Sequence, residues 1–191
     1  MTTLVVYESL YGNTREVAEA IAAGLGDARV VSVQDAASQV TKADLLVVGG
    51  PTHVHGLTSR RSRTAGVQDA HGDVEPGAGD GPGLRDWLAD LPRVANAQAA
   101  AFDTRAHGPQ VLTGSASHGI ARRLRHHGYR LVGSESFIVE SGEVRSSTVS
   151  SSELAPGARR WPPLYRGWPR ILSEEFHGCA EARWARSLRH G

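Results

Sequence analysis

The sequence predicts an α/β protein, a doubly wound parallel sheet of five strands covered by helices on both faces as a three-layer α/β/α sandwich. Three observations predict it. Apolar runs of strand length alternate along the chain with segments whose apolar residues recur at helical spacing. The run Leu45-Leu46-Val47-Val48 is apolar at every position, as a strand buried on both faces requires. The first run also leads through a short polar loop directly into an amphipathic helix.

The strands are expected at Leu4 to Tyr7, Ala28 to Val33, Ala43 to Gly50, Ala97 to Phe102 and Tyr129 to Glu140, each rich in Val, Leu or Ala and bounded by polar or glycine positions. A first helix is expected from Thr14 to Gly24, where Val17, Ala18, Ile21 and Ala22 share one face and Gly24 and Gly26 supply stop signals. Leu84 to Leu91, with Trp87 and Leu88, and Ser115 to His127, with Ile120 and Leu124 one turn apart, predict two more. Ser115 is expected to cap the latter, and Arg122-Arg123 and His126-His127 to form its solvated face. The stretch from Gly56 to Gly83 reads as a long polar, mobile connection bearing Arg60, Arg61 and Arg63.

These elements define a domain over residues 1–145. Residues 146–191 form an atypical segment, with serines at 146–152, prolines at 156, 162 and 163, and Trp161, Trp168 and Trp184. A helix from about 173 is expected there, because Leu172, Phe176, Ala180, Trp184 and Leu188 fall four apart.

Composition narrows the function classes. The 191 residues are 40% hydrophobic and 21% charged, with no apolar run near the roughly 20 residues that span a bilayer, so no membrane role is expected. The N-terminus passes directly into a strand-like run without a basic stretch, which predicts a cytoplasmic protein. The single cysteine, Cys179, excludes an internal disulfide and a cysteine-based zinc cluster within one chain. A net charge of +1 argues against nucleic acid as a partner.

In a doubly wound sheet ligands bind beyond the carboxyl ends of the strands, where strand order reverses. The loop there after the first strand, Ser9-Leu10-Tyr11-Gly12-Asn13-Thr14, sets two hydroxyls and an amide around a glycine immediately before a helix. Free N–H groups and the helix dipole make such an end an anion cradle. Thr14 is expected to cap the helix while donating to a phosphate oxygen. Without a lysine the loop is not a Walker loop, and no Gly-x-Gly-x-x-Gly fingerprint is present at this turn.

The loop resembles the phosphate loop of the flavodoxin family, Ser/Thr-x-Thr/Tyr-Gly-Asn-Thr directly after the first strand. The resemblance extends over about residues 3 to 140, through Gly49-Gly50-Pro51-Thr52 and the turn Phe102-Asp103-Thr104-Arg105. It implies a flavodoxin-like sheet of strand order 2-1-3-4-5 and flavin mononucleotide (FMN) as cofactor. Ser9, Leu10, Tyr11, Gly12, Asn13 and Thr14 would hold its phosphate. Pro51, Thr52, His53, His55 and Gly56 on one loop, and Asp103, Thr104 and Arg105 on the next, would clasp its ring. The peptide His55-Gly56 would be the one that turns over to bond the flavin N5 hydrogen on reduction, and His53 and His55 stand where many flavodoxins place a stacking aromatic residue.

Three functions remain open on this reading: an electron carrier with a redox partner protein, an NAD(P)H-dependent flavin reductase acting on a quinone or similar acceptor, and a flavin-free module of the same fold. Flavodoxin carriers are typically acidic, whereas here the Arg60, Arg61 and Arg63 cluster suits an acidic protein or an anionic substrate. Other chemistries are weaker. A phosphorylation receiver needs an acid pair after the first strand and an Asp ending the third, where this chain has Glu8-Ser9 and Gly49-Gly50-Pro51-Thr52. Ser115, His118 and Asp103 lack a Gly-x-Ser-x-Gly elbow, so no catalytic triad is assigned. A metal at His53, His55 and His71 has only a His-x-His pair to support it, and none is assigned.

Overall fold

The computed structural model describes residues 2–26, 28–36, 39–53, 56–68, 74–95, 97–106, 114–140 and 143–147. The strands are β1 (Thr3–Tyr7), β2 (Ala28–Ser32), β3 (Leu45–His53), β4 (Gly56–Leu57), β5 (Gln98–Ala106), β6 (Arg130–Glu140) and β7 (Glu143–Ser147). The α-helices are α1 (Asn13–Leu25), α2 (Arg60–Gln68), α3 (Leu84–Ala89) and α4 (Ala116–His126). Strand order is β2-β1-β3-β5-β6-β7, all parallel except β7, and β4 folds back antiparallel on the end of β3. The five expected strands are therefore present in the expected order, with β5 and β6 in fourth and fifth place. β7 runs to Ser147, just past the residue-145 boundary.

Two cores cover the two faces. On one, Leu4, Val6, Leu46, Val48, Ala99 and Ala101 pack with Leu84, Trp87 and Leu88 of α3 and Ile120 and Leu124 of α4. On the other, Val5, Leu45, Val47, Ala100 and Phe102 pack with Val17, Ala18, Ile21 and Ala22 of α1. Consecutive residues of β1 and β3 enter opposite cores because strand side chains alternate, so a strand between two helical layers must be apolar throughout. At the end of β3 side chains close in on the backbone. A Cβ on Gly49 would lie 2.0 Å from the ring of Phe102 on the neighbouring β5, and one on Gly50 would lie 2.6 Å from Leu84 of α3. Gly49 is thus demanded by a cross-strand ring and Gly50 by close helix–sheet packing.

The structure corrects several expectations. The stretch from Gly56 to Gly83 is not one unstructured connection, because it forms β4 and α2. Its apolar periodicity is weak, and tertiary contacts supply what periodicity does not. Asp103, Thr104 and Arg105 do not form a turn: they pair within β5, between β3 and β6. Pro51, Thr52 and His53 likewise belong to β3, whose end pairs antiparallel with β4, His53 opposite Gly56. His55, His71, Cys179, the C-terminal tryptophans and the helix expected from 173 lie outside the described residues. No helix among the described residues is long and apolar enough to cross a membrane.

Candidate functional site

Three helices begin at the edge where the parallel strands end, and their N-termini are treated differently. An α-helix starts with N–H groups that have no intrahelical acceptor, and each must find a partner elsewhere. At α4 the protein provides them: Thr52 Oγ1 accepts from Ala116 N at 2.9 Å, Asp103 Oδ2 from Ser117 N at 2.8 Å, and Ser115 Oγ from His118 N at 3.4 Å. Asp103 Oδ2 also accepts from the hydroxyls of Thr52 and Ser115, at 3.0 and 2.9 Å. Ser115 is the N-cap residue its position predicts. At α3, Glu8 at the end of β1 is buried, its Oε2 accepting from Leu84 N at 2.5 Å and its Oε1 from the Thr58 hydroxyl.

The start of α1 has no such cap. Its N-cap is Gly12 rather than Thr14, and no side chain caps it. Gly12 sits at φ +90°, a conformation open to glycine and strained for other residues. Its carbonyl accepts the first helical bond from Glu16 N, and its N–H donates to Ser9 Oγ at 3.0 Å, tightening the loop. The N–H groups of Asn13, Thr14 and Arg15 occupy the first turn, where a helix leaves its donors exposed. Thr14 does not cap because it points sideways, its buried hydroxyl 2.7 Å from that of Thr104 on β5. This bond ties the loop to the strand that the sequence assigned to the other side of the same site.

Residues 56–83 brace this loop from outside. The Tyr11 hydroxyl donates to Gly66 O of α2 at 2.8 Å, leaving the ring about half exposed, and Glu75 N donates to Leu10 O at 2.8 Å. The Glu75 carboxylate lies 3.1 Å from the Arg15 guanidinium and 3.5 Å from the position a Cβ on Gly12 would take. A negative group therefore stands at the mouth of the loop, paired with the one base of the helix's first turn. Its field reaches Tyr7, whose phenol pKa is raised by burial first and by Glu75 next.

Arg63 departs from the sequence reading. It is 1% exposed, the largest fully buried side chain among the described residues, and donates to the carbonyls of Asp80 and Gly81 at 3.4 and 3.1 Å. It fastens α2 to the segment before α3 and cannot join Arg60 and Arg61 in a surface cluster. Those two do remain exposed, lining an open groove of ≈ 540 Å³ with Thr64, Ala65 and Gln68.

Of the expected site residues, Ser9 to Thr14, Pro51 to His53, Gly56 and Asp103 to Arg105 thus gather at one edge of the sheet. Thr52 and Asp103 have their side chains committed to α4. One Asp103 oxygen, Oδ1, is buried without a hydrogen-bond partner. On the neighbouring strand, burial, opposed by a hydrogen bond at Ser136 and reinforced by Asp103, pushes the Glu135 carboxyl up to about 7. Glu8 and Glu75 were missed in the sequence. Glu8 carried a usable signal, an acid at the end of an apolar strand, whereas Glu75 carried none.

A flavodoxin domain model matches residues 4–62, from β1 to the first turn of α2. No curated protein sequence matches the chain. Among solved structures, oxidised flavodoxin 2 from Bacillus cereus is 18% identical, over 92% of this chain and 100% of that one, with a TM-score of 0.52. The flavodoxin of Streptococcus pneumonia TIGR4 is 18% identical over 74% and 88%, with a TM-score of 0.51. The flavodoxin of Fusobacterium nucleatum, in a structure bound to flavin mononucleotide, is 13% identical over 95% and 98%, also with a TM-score of 0.51. At such identities the structural likeness speaks for the fold, and the sequence match speaks for the segment containing the uncapped helix end. Together with the strand order, these findings show a flavodoxin-like fold whose first part, residues 4–62, is similar in sequence to the flavodoxin domain.

Proposed function

We propose that the chain binds FMN, with its phosphate on the uncapped end of α1, and serves electron transfer. The observation that carries this reading is the contrast among helix ends: α3 and α4 are capped by Glu8, Thr52, Asp103 and Ser115, whereas α1 begins at a left-handed glycine with no side-chain cap. A phosphate dianion satisfies several first-turn donors at once and sits favourably in the helix dipole. Ser9, Leu10, Tyr11, Gly12, Asn13 and Thr14 form the phosphate cradle, with Thr14 held against Thr104.

The ring would lie against the ends of β3 and β5. There Pro51, His53 and Gly56 would border it, with Thr104 and Arg105 on the side of β5. Thr52 and Asp103 position this edge through their bonds to α4 rather than by touching the ring. FMN, when bound, supplies one- and two-electron redox chemistry. The protein's part is to fix the cofactor's position and to set the charge around it.

A second reading, an NAD(P)H-dependent reductase, is favoured by the groove beside the exposed Arg60 and Arg61, which suits an anionic dinucleotide. The test is an absorption spectrum after incubation with excess FMN and desalting, followed by anaerobic photoreduction and NADPH addition. A retained flavin that is lost in the double variant Asn13→Ala, Thr14→Ala supports the phosphate assignment. A semiquinone without bleaching by NADPH supports the carrier, direct bleaching supports the reductase, and no retained flavin overturns both.

A further inference from the structure

Between Asp103 and Glu135 the sequence contains no Asp or Glu, while Arg122, Arg123 and Arg125 crowd the end of α4. Ala116, Ser117, Ile120, Ala121 and Leu124 turn that helix's apolar face to the sheet, which leaves His118, Arg122, Arg125 and His126 exposed. Basic residues at a helix C-terminus complement its dipole, and that alone would explain one or two of them. It does not explain Arg85, which belongs to α3 and comes to the same place.

Arg85 donates from Nε to Thr58 O at 3.3 Å and from Nη2 to Leu57 O at 2.7 Å. Arg123 donates from Nη1 to Gly119 O at 3.3 Å, and Gly119 in turn touches Leu57, whose side chain is 3.3 Å from where a Cβ would stand. The two guanidinium groups therefore flank Leu57 of β4. The repulsion is felt: burial, then Arg85, then Arg122 lower the Arg123 pKa. Among the described residues no carboxylate forms an ion pair with Arg85, Arg122, Arg123 or Arg125, although Asp86 lies on α3 and Asp90 at its end. Like charges held together without counter-charges cost stability in the free protein, and that cost is recovered when an oppositely charged surface is brought against them.

We propose that the face formed by β4, Arg85 of α3 and the last turns of α4 docks an acidic partner protein. Gly56 and Leu57 of β4 pair with Thr52 and His53, so this face adjoins the edge at which the flavin ring is proposed to lie. The inference rests on the flavin reading for what the partner exchanges, which is electrons, but not for where it docks. Arg60 and Arg61 on α2 form a separate basic pair and are not part of it.

The test is an NMR titration of the isotope-labelled full chain with an acidic two-iron ferredoxin as probe and a basic cytochrome c as control. The expected result is amide perturbation and paramagnetic broadening confined to residues 56–57, 85 and 118–126, from the ferredoxin alone. The double variant Arg122→Glu, Arg125→Glu, both exposed positions, weakens binding by about tenfold or more, and high salt removes it, as electrostatic docking requires. Arg85→Gln with Arg123→Gln gives the same direction without charge reversal, and Arg60→Glu with Arg61→Glu leaves affinity unchanged. Absence of ferredoxin binding, perturbations elsewhere, equal binding of cytochrome c, or indifference to both patch variants overturns the proposal. Visible flavin absorbance of the same samples is scored separately, so docking without flavin sinks the flavin reading alone, and flavin without docking sinks the docking face alone.

Discussion

The starts of α1 and α4 lie at the same edge of the same sheet, and a serine and a glycine stand just before each. At α4, three side-chain oxygens from three places in the chain, Thr52, Asp103 and Ser115, meet three successive N–H groups. At α1, the serine of the loop turns inward to hold Gly12, and the first threonine turns away to Thr104. One end is closed by side chains, and the other carries no side-chain cap. The difference teaches that a polar, glycine-containing loop before a helix does not by itself mark an anion site. What matters is whether the surrounding strands bring acceptors to the helix or keep them away.

The largest expected effect breaks the contrast at its open end. Gly12→Val forces a β-branched residue to φ +90° and misplaces the first-turn donors. Losing two charge-assisted bonds at about 1.5 kcal/mol each weakens FMN by roughly 100-fold. Riboflavin, which lacks the phosphate, should lose only a few-fold. Flavin fluorescence quenching measures both, and equal losses would place the phosphate elsewhere.

Breaking the closed end should instead cost stability. Asp103→Ala strips α4 and two hydroxyls of their common acceptor, a loss of about 3 kcal/mol in a urea titration, against about 1 kcal/mol for Thr14→Ala. The ratio of FMN to riboflavin affinity should stay as in the wild type for Asp103→Ala and collapse for Thr14→Ala. The reverse pattern would exchange the roles of the two ends.

A third effect sharpens the electrostatic side of the contrast. Asp103 has donors for its charge, whereas burial raises the Glu135 carboxyl from 4.5 to about 7. The folded state then holds the proton more tightly than the unfolded chain. The contribution of this group to stability is largest below about pH 4.5 and is lost as pH climbs to about 7, above which it levels off. Glu135→Gln should remove that slope and gain about 2 kcal/mol at pH 8, allowing for the partial exposure of the group. A stability profile unchanged by the substitution would show that this carboxyl is not the cause.

The smallest effect lies at the mouth of the open end. Glu75→Gln removes a negative charge beside Gly12 and frees Arg15 from its partner. FMN affinity should rise by about threefold with riboflavin unaffected, the scale of a partly screened surface charge. Weaker FMN binding would mean that Glu75 serves the cradle as a support for Leu10 rather than opposing the ligand.

Much of this was legible without coordinates. β1, β2, β3, β5 and β6 could be found because a strand between two helical layers has to be apolar, and α1, α3 and α4 because a helix on a sheet has to be amphipathic. The tight turn into α1 could be placed because a glycine at positive φ, with a hydroxyl to accept its N–H, is a local demand of the backbone there. The helix α2 was not legible: it is held by Arg63 reaching carbonyls 17 and 18 residues ahead, and no short window contains that contact. Nor were Thr52 and Asp103 recognisable as the cap of α4, since 64 and 14 residues separate them from the N–H groups they serve.

The sequence by itself determined the layers and the tight turn that opens α1, because periodicity and turn chemistry act over a few residues, while the strand order was implied by the family resemblance. Only the tertiary structure decided which helix end stays open, which arginines are buried and which are massed on one face. Those outcomes depend on long-range partners competing for the same donors and charges, and the competition is settled when the strands align.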